Sequence, residues 1–235
     1  MLQVIHRRDL QNALPNAEAS YQFEGEDFGA PVSFFWTDAP PGTGPGFHQH
    51  RYAEIFVVVE GPVTFTVGGK AIEANTGQIV IAPPGVPHKF LNAGAQRSRH
   101  IDIHPSGRMN GDTLAAGMGP SVVRLVERKD LPYSANAYRF EGEILGDIPV
   151  SFFWTDEPPG AGTGIHRHPY AEVFVVQEGT VTFTLGDETV EATAGHIVMA
   201  PASVPHRFVN VGTTNSQHLD LHPSARVITE WLVEK

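Results

Sequence analysis

The chain has 235 residues and a formal net charge of −10 from Lys+Arg 16 and Asp+Glu 26, so repulsion over most of its surface excludes nucleic acid and anionic membrane as main partners. It has no cysteine, which rules out a disulfide framework and a thiolate metal site and leaves nitrogen and oxygen as metal donors. Its 24 glycines and 19 prolines favour short strands joined by tight turns; with no signal-peptide core in Met1 to Leu10 and no run of membrane-spanning length, a soluble cytoplasmic protein is expected.

In chain order almost everything occurs twice. Val4 to Leu10 reads as a short edge strand, with a counterpart in Val122 to Leu131. Tyr21 to Glu26 (YQFEGE) returns as Tyr138 to Glu143 (YRFEGE), and Val32 to Asp38 (VSFFWTD) as Val150 to Asp156. These β-branched and aromatic words, bounded by Pro and Gly, are strand signals. Trp36 and Trp154 fall at the same repeated position and read as core or interface packing. Gly42 to Glu54 (GTGPGFHQHRYAE) then recurs as Gly160 to Glu172 (GAGTGIHRHPYAE). Ile55 to Gly61 and Val63 to Gly69 form a strand, turn, strand pattern, repeated over Val173 to Gly179 and Val181 to Asp187. Their continuous apolar runs predict strands buried on both faces. Gly77 to Asn92 returns as Gly195 to Asn210, each carrying a histidine after a proline-rich turn, and His100 to His104 (HIDIH) returns as His218 to His222 (HLDLH). Met109 to Pro120, rich in glycine, reads as the linker, giving two domains, 1–115 and 116–235. Val227 to Lys235 is open between a short helix and a strand.

His48 and His50 lie one residue apart, so an extended chain presents both on one face, and Glu54 can close on the same point across a turn. His88 completes the set. His166, His168, Glu172 and His206 repeat it at a constant offset of 118. Three neutral imidazoles and a carboxylate suit Fe, Mn, Ni, Co or Zn and leave positions open for water or substrate. Alternation places Tyr52 and Tyr170 away from the metal, in packing positions, and makes Phe56, Val58 and Phe90 candidates for an apolar cavity wall. In His100-x-Asp102-x-His104 and His218-x-Asp220-x-His222 the three polar residues share one strand face. Turned inward they would orient ligands or act as acid and base; turned outward they form a solvated edge. Arg51, Lys89, Arg167 and Arg207 have a parity that points them outward, so no basic residue is evident at either mouth.

The two stretches resemble the paired signature motifs of the cupin superfamily. The first copy meets every fixed position, with Gly42, His48, His50, Glu54 and Gly61, then Gly77, Pro83, Gly85, His88 and Asn92. The second departs only at Ser203, where the motif has glycine; serine can take a positive φ there at a cost of about 1 kcal/mol. The resemblance covers nearly the whole chain and implies an all-β bicupin, two tandem antiparallel jelly-roll barrels with one divalent metal each. It implies a small-molecule substrate and, through sheet edges, a homodimer. Dioxygenases for flavonols, thiols and acireductone share such a 3-His/1-Glu centre, so a metal-dependent oxidoreductase of dioxygenase type is the first expectation. A keto-acid isomerase or lyase is the second, and a binding protein without turnover the third. The chain is much shorter than the oxalate-degrading bicupins, so their substrates are not carried over.

Overall fold

The computed structural model describes residues 3–13, 20–109 and 123–232. The expected all-β architecture is what the chain forms: antiparallel strands throughout, with no α-helix among the described residues. They build two jelly-roll barrels, each a large sheet packed on a smaller one.

One compact unit comprises Leu10–Glu24 and Ser33–Asp130. Its large sheet runs Arg124–Glu127, Gln78–Ala82, Glu54–Glu60, Ser98–His104, Ser33–Ala39, Ser20–Phe23, Gln11–Asn12. Its small sheet is Lys70–Ala74, Val63–Val67, His88–Leu91. In Val63–Val67 the valines and Phe65 are buried while the threonines are half-buried, the alternation of a strand with one face on a core. Glu54 to Val58 are all buried, as the continuous run predicted, because this strand is central in its sheet and covered on both faces. Phe56, Val58 and Val80 from one sheet meet Phe65, Val67 and Phe90 from the other, and each such ring or branched side chain contributes roughly 1.5–3 kcal/mol on burial.

The other unit comprises Met1–Asp9, Gly25–Val32 and Leu131–Lys235. Its seven-stranded sheet runs Gln3–His6, His196–Ala200, Glu172–Glu178, Gln217–His222, Ser151–Thr155, Ala137–Glu141, Tyr133–Ser134. Its five-stranded sheet is Glu188–Thr193, Thr180–Leu185, His206–Asn210, His166–Arg167, Glu230–Trp231. Phe174, Val176 and Val198 pack on Phe183, Leu185 and Phe208, with Val4 against the same cluster.

The repeat in sequence and the repeat in space are offset at one edge. The expected edge strand forms over Gln3–His6, but it pairs with His196–Ala200, deep in the second copy, in register Gln3 with Met199 through His6 with His196. Its counterpart Arg124–Glu127 pairs with Gln78–Ala82 of the first copy. The linker's residues 110–122, and with them the expected boundary at 115, lie outside the described residues. Trp36 and Trp154 are buried, on the packing side of their strands. The C-terminal stretch left open between helix and strand forms the strand Glu230–Trp231 against His166–Arg167.

Candidate metal centres

The four expected side chains of each copy converge. Their ligand atoms lie within 4.8 Å of one another in both sets, His48, His50, Glu54, His88 and His166, His168, Glu172, His206. Three segments deliver them: the His-x-His pair from the stretch bridging to the small sheet, the glutamate from the start of the central strand, and the last histidine from the small sheet itself. His48 and His88 exchange backbone bonds, N–H to O, at 3.0 and 2.8 Å, which locks the two ligands side by side. The turn before the last histidine needs a positive φ. Gly85 takes 69° and Ser203 takes 63°, so serine adopts the glycine conformation and the loop keeps its shape.

Imidazole tautomers follow from the hydrogen bonds around them. His88 Nδ1 donates to Val86 O at 2.7 Å, His206 Nδ1 to Val204 O at 2.8 Å, and His166 Nδ1 to Gly164 O at 2.8 Å. Each therefore turns an Nε2 lone pair to the centre. In the first set the Nε2 atoms of His88, His50 and His48 lie 2.6, 3.2 and 3.6 Å from Glu54 Oε2. In the second, His206 and His168 lie 2.7 and 3.1 Å from Glu172 Oε2. Lone pairs facing a buried carboxylate oxygen at these distances repel unless a cation lies among them, so the donor set fits a divalent metal.

Electrostatics reinforce the arrangement. Burial by itself would push both glutamates up, but the imidazoles around them, led by His104 at Glu54 and His222 at Glu172, hold both carboxyls well below the usual range. Burial lowers His166. Desolvation also acts on His48, yet its contact with Glu54, the Glu54 charge and its bond to Gly46 O together outweigh this and raise it.

The polar face of HxDxH turns inward in both copies. His104 Nε2 and His222 Nε2 each stand 3.2 Å from the second oxygen of their glutamate, Oε1, leaving Oε2 to the ligand set. Burial pushes His222 down to about 4, so it is neutral at pH 7. Asp102 and Asp220 line the cavities. Behind them His100 Nδ1 bonds Asp102 and His218 Nδ1 bonds Asp220, with the rings packed edge-on against Phe90 and Phe208. Thr37 Oγ1 donates to Asp102 at 3.2 Å, whereas Thr155 Oγ1 instead donates to His218 O at 3.0 Å. Burial raises Asp220 to about 6 against the pull of His218.

Other expectations fare unevenly. Phe90 lines the first cavity, while Phe56 and Val58 belong to the core beneath it. Tyr52 and Tyr170 do pack, but on the ligands themselves: they stack on His50 and His168 with centroids 5.1 and 5.4 Å apart. The chain turns at residues 51–53, so strand alternation does not reach the tyrosine. Of the four basic residues, Arg167 pairs with Glu230 at 2.9 Å on the surface and Lys89 lies over the Phe47 ring.

The two cavities differ. The first, about 260 Å³, is walled by Phe35, Pro45, Phe90 and Met109 with Gln22 at the rim. The second, about 430 Å³, has Arg139, Glu157, Thr155 and Thr163 in its wall, and the C-terminal residues Val227, Thr229 and Trp231. That C-terminal segment also fixes a ligand, since His168 Nδ1 donates to Ile228 O at 2.7 Å, and Ile228 N–H donates to the Tyr170 hydroxyl at 2.9 Å. Neither Arg139 nor the C-terminal wall was marked by the sequence motifs. For Arg139 the signal existed, as the one changed letter between YQFEGE and YRFEGE; for the C-terminal segment none did.

The cupin domain family model matches residues 35–104 and 153–222, together more than half of the chain, and the chain belongs to the cupin family as a bicupin. The H2HPP isomerase of Bacillus subtilis is 26% identical to it over 194 residues, 77% of this chain and 75% of that protein. The HTH-type transcriptional regulator PuuR of Escherichia coli K12 is 35% identical over only 65 residues, 27% of this chain and 35% of the regulator. The structure of Bacillus subtilis oxalate decarboxylase, a protein with Mn(II) centres, superposes with a TM-score of 0.79 at 14% identity, over 97% of this chain and 79% of that one. At that identity the likeness is one of fold.

Proposed function

We propose that this bicupin is a metal-dependent enzyme that moves a proton on a small organic acid, an isomerase or lyase, with His48, His50, Glu54 and His88 holding one ion and His166, His168, Glu172 and His206 the other. The observation that carries the reading is the cavity-lining aspartate beside each ligand set, Asp102 and Asp220, each bonded from behind by a histidine, His100 and His218. The likeness to an isomerase over three quarters of both chains supports it.

A divalent metal bound at the His/Glu set supplies a Lewis acid for a substrate carbonyl. The protein's own residues do the rest. Asp220, raised to about 6 by burial, exchanges a proton near neutral pH at a carboxyl oxygen facing the cavity. His218 orients it through Nδ1 and is itself held at its backbone by the Thr155 hydroxyl, at 3.0 and 3.1 Å. His222 steadies the far oxygen of Glu172 and is a positioning residue. Phe35, Pro45 and Phe90 supply an apolar part of the first cavity's wall.

A second reading, dioxygenase chemistry, is favoured by that same apolar first cavity, which suits dioxygen beside a His/Glu centre. The test is the manganese-loaded chain with small 2-oxo acids in deuterated water under anaerobic conditions. Deuterium incorporation beside the carbonyl, lost in Asp220→Asn at unchanged metal content, is expected. Turnover only with oxygen uptake would replace the first reading by the second, and neither would leave a binding module.

A further inference from the structure

The second cavity carries a cation where the first carries an amide. Arg139, Phe153 and Asp220 stand directly opposite one another on three neighbouring strands, so they share the face that lines the cavity. In the first barrel the same row reads Gln22, Phe35 and Asp102, also on the cavity wall. One letter therefore changes the chemistry of the rim while the register is identical.

The geometry points to Arg139 as the carboxylate anchor of the second barrel, so that the two similar centres take different ligands: an organic anion in the second, an uncharged or apolar molecule in the first. This rests on the reading of the substrate as a small organic acid and adds which barrel takes it and which residue holds its charge. Among the described residues, Arg139 is the only Arg or Lys that lines either cavity. Its pairing with Glu141 is long, 3.7 Å from Nε to Oε1, with 44% of the arginine side chain exposed. Such a pair is weak and leaves the planar fork available for a bidentate carboxylate. Gln22, by contrast, is already spent on Glu24, donating at 2.5 Å.

The placement suits a molecule with a charge at one end and its reacting carbon at the other. Arg139 lies three strands from the Glu172 strand, roughly 14 Å between backbones at about 4.8 Å per strand. Its long side chain closes part of that distance, and the 430 Å³ cavity spans the remainder. Two further carboxyls line this cavity, Glu157 and Asp220, and both oppose an incoming anion. Burial pushes each of them up, towards the neutral form, which reduces that opposition.

The experiment titrates propionate, and its uncharged isostere propionamide, into the manganese-loaded full chain by calorimetry, in wild type, Arg139→Gln and Arg139→Lys. Metal contact is common to all three proteins, so the differences read residue 139. Propionate is expected to bind wild type at least tenfold more tightly than propionamide, with the preference erased in Arg139→Gln and partly kept in Arg139→Lys. Equal propionate affinity in wild type and Arg139→Gln, or no preference between the two probes in wild type, overturns the assignment. Arginine-dependent propionate binding without anaerobic deuterium exchange would sink the proton-transfer reading and leave the anchor; exchange without arginine dependence would sink the anchor alone.

Discussion

Gly162 offers a direct test of how the fold sets the metal geometry. It lies in the loop four residues before His166, with an ordinary φ, and a Cβ built there would sit 2.0 Å from Phe208 O and 2.8 Å from Val209 Cα. In Gly162→Ala the Phe208 carbonyl must therefore retreat by about 1 Å to reach the 3.0 Å floor of real contacts. That retreat breaks the bond from Thr163 N–H to Phe208 O, now 3.0 Å, and strains the one from Asn210 N–H to Ala161 O, now 2.8 Å. At about 1 kcal/mol each, with some loosening of the Phe208 ring in its cluster with Phe174 and Phe183, the cost is about 2–4 kcal/mol. Calorimetry should show a melting point lower by roughly 5–15 °C. His206 sits two residues back on the same strand, so manganese affinity at the second centre should fall about tenfold or more. Gly46→Ala is the control, because its Cβ meets nothing within 4 Å. An unshifted melting point and two unchanged manganese sites in Gly162→Ala would refute the argument that close backbone approach positions the histidine.

Elemental analysis of His88→Ala and His206→Ala should each show one of the two metal equivalents lost and the other retained, since the ligand sets share no residue. Ser203 holds φ at 63°, so Ser203→Gly relieves about 1 kcal/mol of strain less the added unfolded-state freedom of glycine, a net gain under about 1 kcal/mol in urea titration; Gly85→Ala should cost about 1 kcal/mol. For the metal-free chain, His222 at about 4 binds its proton less readily folded than unfolded, so its contribution to stability is present above about pH 6.5 and lost as pH falls towards 4. His222→Gln should flatten that acid limb in the difference between the two urea-stability profiles, with parallel profiles contradicting the burial of a neutral ring.

Legibility in the sequence followed locality. The ligand sets were readable because His48, His50 and Glu54 lie within seven residues and the same words recur 118 later, which fixes composition and spacing together. The strands were readable from alternation and from runs such as Ile55 to Val58. The direction of HIDIH was not, because an alternating strand has two polar readings and only the register of Asp102 with Phe35 and Phe56 turns it inward. Tyr52 was placed by extrapolating strand geometry through a turn, where it fails. Parity along the ligand stretches carries no signal for Arg139, because its strand joins the cavity through two cross-strand neighbours. The roof that Ile228 and Trp231 give the second centre depends on residues about 60 positions away in the chain, beyond any local pattern.

The exchanged edge strand has a consequence for synthesis. The strand Gln3–His6 leaves the ribosome long before its partner, since His196 follows His6 by roughly 190 residues, a wait of about 10–40 s at ordinary elongation rates. The unit built on Leu10–Glu24 and Ser33–Asp130 has all its strands in hand once Glu127 emerges, and can close while translation continues. The other unit must keep its opening strand unpaired until the last third of its sheet exists, with Val4 exposed throughout. Completion of the two metal centres is thereby ordered in time by the chain's own direction, the first barrel's strands all in hand before the second centre's ligands, His166 to His206, emerge.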